Sequence, residues 1–103
     1  MYYFVTRHDG AITWACQEGL IPKGQPFLGI VHLTKDILET LEPGDAVVGV
    51  LPIQLVAKVC EKGAKFFALV LDLPLDARGK ELTADDMRRY GARLEEYSAK
   101  REG

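Results

Sequence analysis

Arg7 and His8 stand side by side directly after a short aromatic and β-branched run, Tyr2 to Thr6. Of all residues in the chain they are the best equipped for work on a phosphate. An arginine presents a planar fork of donors that matches phosphate oxygens, and a histidine exchanges a proton near neutral pH. Thr6 and Gly10 flank the pair, and the segment leads into a helix whose first N–H groups can hold an anion. The same residues also have a purely structural reading, in which Arg7 pairs with an acid such as Asp72 and His8 caps the helix.

Other candidates follow from where the strands end. In open parallel sheets ligands bind outside the carboxyl ends of the strands, near the point where strand order reverses. That rule selects Thr6 to Gly10, then His32, then Pro52 and Gln54, then Asp72 with Arg78 in the loop beyond. Gln54 could contact a base or ribose, Asp72 could orient Arg7 or accept a ribose proton, and Arg78 could reach a phosphate. His32, alone at a strand end, reads better as a structural group. No GxGxxG follows the first strand, no GxxxxGK[ST] occurs, and two isolated histidines make no metal constellation. Neither a cofactor nor a metal is expected.

The elements that carry these residues alternate. Tyr2–Thr6, Phe27–Leu33, Ala46–Leu51 and Lys65–Leu71 read as strands, the last two as unbroken apolar runs covered on both faces. Helices are expected from Gly10 to Gly19 and after the Thr34 cap. A third follows Pro52, with Ile53, Val56, Ala57 and Cys60 as its stripe. A last helix starts at Thr83-Ala84-Asp85-Asp86, with Met87, Tyr90, Leu94 and Tyr97 as its buried face. Trp14 is expected to pack on the sheet. The order βαβαβαβα implies a Rossmann-like three-layer α/β/α domain with a four-stranded, mainly parallel sheet in the order 2-1-3-4.

Size and composition set bounds. A chain of 103 residues supports one domain, spanning 1–103. With 13 basic and 15 acidic residues it has no basic stripe for long nucleic acid. Cys16 and Cys60 match no ligand or redox spacing and read as buried, reduced thiols. The start Met1-Tyr2-Tyr3-Phe4-Val5 lacks the pattern of a signal peptide, and no apolar run is long enough to span a bilayer. A cytoplasmic protein without membrane partners is expected.

A succession of motifs resembles one family. Tyr3-Phe4-Val5-Thr6-Arg7-His8, Gly10-Ala11 and Trp14 open it, followed by Pro43-Gly44-Asp45, Gly49-Val50-Leu51-Pro52, Val59-Cys60 and Gly63-Ala64-Lys65. Leu71-Asp72-Leu73-Pro74, Arg78-Gly79-Lys80-Glu81-Leu82 and Gly91-Ala92-Arg93-Leu94-Glu95 complete it. Together they resemble the small type III CRISPR accessory proteins of the Csx series, type sixteen. The family pattern has Thr where Val50 stands and Asn where Gln54 stands.

The resemblance implies a CARF-like ring nuclease that degrades cyclic oligoadenylates, cyclic tetra-adenylate foremost, and so switches off type III signalling. It implies a homodimer around a two-fold ligand, with metal-independent attack of a ribose 2′-OH on the adjacent phosphodiester. Arg7 and His8 would be catalytic, with Thr6, Gly10, Pro52, Gln54, Asp72 and Arg78 binding substrate. Two other classes remain: a non-catalytic sensor or sponge for the same messenger, and an interaction protein docking through its charged last helix.

Overall fold

A computed structural model describes residues 1–103. Its sheet begins with β1 (Tyr2–Val5), β2 (Phe27–Ile30), β3 (Ala46–Gly49) and β4 (Lys65–Val70). The helices between them are α1 (Asp9–Gln17), α2 (Lys35–Thr40) and α3 (Ile53–Glu61). After β4 come a 3₁₀ turn (Leu75–Ala77), α4 (Ala84–Arg89) and β5 (Arg93–Tyr97). Strand order is β2-β1-β3-β4-β5. The first three pairings are parallel, and β5 runs antiparallel to β4. The expected order of the first four strands therefore holds, but the sheet has five strands, not four.

Alternation through the pleat splits the core in two, because successive side chains point to opposite faces. Phe4 and Val48 face Ala11, Trp14 and Ala15 of α1 and Met87 of α4. Val5, Val47 and Phe66 face Leu38 of α2 and Val56 and Val59 of α3. All four residues of β3 are buried, as a strand covered on both faces requires. No helix is long and apolar enough to cross a membrane.

The fifth strand corrects the reading of the last helix. That helix stops at Arg89, where Gly91 takes φ +68°, a conformation that ends helices at little cost to glycine. Leu94 then sits opposite Leu69 on a strand. Tyr97, expected on a buried helical stripe, is instead 52% exposed. Its hydroxyl donates to Glu95 Oε1 at 2.7 Å, and Arg93 Nε donates to Glu95 Oε2 at 3.0 Å. These bonds hold the Glu95 carboxyl below its ordinary value and push the Tyr97 phenol up.

Three smaller corrections concern two strand ends and the thiols. Strand β2 ends at Ile30, and its Phe27 and Leu28 are exposed on the sheet edge. Strand β3 ends at Gly49, leaving Val50 and Leu51 in the connection to α3. Cys16 is exposed and Cys60 half-buried, so the thiols are free but not buried.

Helix α4 starts in a full capping box. The Asp86 N–H donates to Thr83 Oγ1 at 3.1 Å, and the Thr83 N–H donates to Asp86 Oδ2 at 3.0 Å. The second bond is the main reason the Asp86 carboxyl lies below its ordinary value. A carboxyl lowered by folding stabilises at neutral pH, and that contribution disappears as pH falls through the lowered value. Thr83→Ala is expected to cost about 1 kcal/mol, which thermal unfolding would read as a Tm loss of roughly 4–8 °C.

Candidate functional site

The carboxyl ends of β1, β2, β3 and β4 lie side by side along one rim of the sheet. At its centre β1 and β3 approach unusually closely. Gly49, paired with Val5, has φ +148°, and a Cβ there would lie 2.3 Å from the Val5 carbonyl oxygen. This is where strand order reverses, since β1 connects outward to β2 on one side and borders β3 on the other.

The turn after β1 is built by Thr6. Its backbone N–H continues the ladder to the Ile30 carbonyl at 2.9 Å, while its Oγ1 accepts the His8 N–H at 3.0 Å. A Ser/Thr turn of this kind fixes the backbone on either side of Arg7. Arg7 itself is exposed, and its guanidinium makes no hydrogen bond or ion pair within the chain. The alternative pairing with Asp72 is not found: Asp72 Oδ2 lies 3.9 Å from Arg93 Nη1 instead.

His8 occupies the N-cap position of α1, but its side chain does not cap the helix. The imidazole turns to the other end of the chain. Nδ1 accepts the Leu82 backbone N–H at 3.3 Å and stands 3.6 Å from Glu81 Oε2. Gly10 belongs to the same junction: a Cβ on it would lie 2.2 Å from the Leu82 carbonyl oxygen and 2.7 Å from Thr83 Cα. Packing against this backbone accounts for the glycine. Asp9 places a carboxylate in the first turn of α1, so the positive end of that helix already has a negative partner.

The remaining candidates are more dispersed. Pro52 is the N-cap of α3, and its carbonyl accepts the Leu55 and Val56 N–H groups at 3.0 and 3.2 Å. Gln54 lines a groove of about 720 Å³ with Lys58, Glu61, Lys100 and Arg101, a groove that none of Arg7, His8, Asp72 and Arg78 borders. Asp72 is exposed at the end of β4, two strand positions from β1. Arg78, just after the 3₁₀ turn, and His32, after β2, are exposed and unpaired. In the connection from β3 to α3, Val50 is 72% and Ile53 75% exposed, leaving apolar surface there. No group of three His, Cys, Asp or Glu side chains is arranged to hold a metal ion.

The arrangement thus brings together Thr6, Arg7, His8 and Gly10 with Glu81 and Leu82, the two residues that sequence reasoning missed. Chemically it offers a free guanidinium, an imidazole with one nitrogen occupied, and a rim with unpartnered apolar area. The family model described as "Putative CRISPR-associated protein (Cas_VVA1548)" matches residues 3–100. The chain belongs to this family. The Cas_VVA1548 match takes in every candidate named above, from Thr6 to Arg78, and both Glu81 and Leu82. Comparison with curated proteins and with solved structures gave no match.

Proposed function

We propose that this CRISPR-associated chain is a ring nuclease that binds and opens a cyclic oligoadenylate, cyclic tetra-adenylate foremost, and thereby ends type III signalling. The observation that carries the reading is the unpaired, exposed Arg7 beside His8 at the strand-order reversal of a mostly parallel sheet, in a CRISPR-associated family. The fold is read as a Rossmann-like, CARF-like platform. Two copies would place two such rims around a two-fold ligand, with the exposed Val50 and Ile53 available for contact between them.

The substrate brings its own nucleophile. The ribose 2′-oxygen bonds to the adjacent phosphorus, the bond from phosphorus to the 5′-oxygen breaks, and a 2′,3′-cyclic phosphate remains on a linear product. The protein has to hold the 2′-oxygen in line and neutralise the charge that builds on the phosphoryl oxygens. Arg7 does the second task. No metal is required by this scheme.

Purified protein incubated with cyclic tetra-adenylate in excess EDTA, and analysed by mass spectrometry, is expected to yield linear products. An intact ring after long incubation, with a related enzyme active alongside, overturns the reading. Tight, reversible, stoichiometric binding with no product would instead establish the sensor or sponge. That second reading draws on one feature: neither nitrogen of His8 pairs with a side-chain nucleophile of the chain.

A further inference from the structure

His8 has one ring nitrogen occupied and one free. The Leu82 N–H donates to Nδ1 at 3.3 Å, and nothing in the chain hydrogen-bonds Nε2. No buried polar side-chain atom lacks a partner, so Nε2 reaches solvent. A nitrogen that accepts an N–H carries a lone pair, and the neutral ring then has its proton on the other nitrogen.

The donor that sets this arrangement cannot turn away. It is a backbone amide on a buried residue, and the Leu82–Thr83 backbone is pressed against Gly10. Moving the proton to Nδ1 would set two N–H groups against each other and leave the amide without an acceptor. The competing influence is Glu81, whose carboxylate favours a proton on Nδ1. Its Oε2 stands 3.6 Å away, beyond hydrogen-bond length, on a side chain that is 69% exposed and shared with water. The fixed amide prevails.

Resting on the ring-nuclease reading, we infer that the Leu82 amide locks His8 as the Nε2–H tautomer, so that His8 meets the substrate as a hydrogen-bond donor and not as the base. Nε2–H bonds a non-bridging oxygen of the reacting phosphate and keeps its proton throughout. The 2′-oxygen joins phosphorus as its proton passes to water. The 5′-oxygen leaves and takes a proton from water. Leu82 is a positioning residue, acting through the ring it orients.

Two measurements test this. The chain has two histidines, so His32→Gln leaves His8 as the sole imidazole. Nitrogen-15 NMR of that variant's neutral ring, without ligand, should show Nε2 bonded to hydrogen and Nδ1 as the bare, pyridine-type nitrogen. A proton on Nδ1, or an even mixture, overturns the lock whether or not the protein opens rings.

In the cleavage assay, His8→Ala should lose about 10²-fold in rate. His8→Gln, whose side-chain amide can donate but cannot act as a base, should recover most of the loss. Equal loss in the two variants overturns the donor role. If the unsubstituted protein opens no ring, the function reading fails while the NMR result still decides the tautomer.

Discussion

Arg7→Ala is expected to slow opening of cyclic tetra-adenylate by about 10²–10³-fold while leaving the fold untouched. This guanidinium has no partner in the folded chain: it makes neither a hydrogen bond nor an ion pair. Surface substitutions of this kind usually stay within about 0.5 kcal/mol of the parent stability. The lost rate therefore reports on the phosphate alone. Arg7→Lys keeps the charge but not the paired donors, and should fall between the two. Single-turnover rates, measured beside Tm, read both quantities. Unchanged turnover in Arg7→Ala would remove the rim from consideration as the reaction site.

The largest effect on stability is expected at Gly49. Alanine there meets two penalties at once, a backbone at φ +148° and a Cβ placed 2.3 Å from the Val5 carbonyl oxygen. Strained backbone costs about 1–3 kcal/mol, and overpacking a closed interior costs about 1–3 kcal/mol more. β3 is buried between β1 and β4, so neither neighbour can yield without disturbing a ladder. The sum is a large share of the roughly 5–15 kcal/mol that holds a domain together. Gly49→Ala should lower Tm by more than about 10 °C. Gly44→Ala is the comparison, since Gly44 also has positive φ, +98°, but no atom within 4 Å of a Cβ. A smaller loss at Gly49 than at Gly44 would contradict the crowding argument.

The four parallel strands were legible because Ala46–Gly49 and Lys65–Val70 are continuous apolar runs set between amphipathic helices, a pattern few topologies satisfy. β5 was not legible for a local reason. Met87, Tyr90, Leu94 and Tyr97 recur at helical spacing, and the stripe runs straight through Gly91, whose positive φ breaks it. At the candidate site, residue type and the strand-end rule alone pointed to Arg7 and His8. They could not supply Glu81 and Leu82, because the decisive group is a main-chain amide with no signature in its side chain, 74 residues away. Gln54 shows the converse. It lies early in α3, and the groove it lines with Lys100 and Arg101 does not include Arg7.

That 74-residue separation between His8 and the amide that orients it also bears on how the molecule comes into being. Chains are made at about 5–20 residues per second, so His8 precedes Leu82 by roughly 4–15 s. Contacts so distant along the chain form only after the intervening loop has closed. Through that interval β1 can pair with β2 and β3 while the imidazole is still free to choose its tautomer. Strands β1 to β4 are therefore synthesised before the His8 ring can acquire its partner, and α4 and β5 after it.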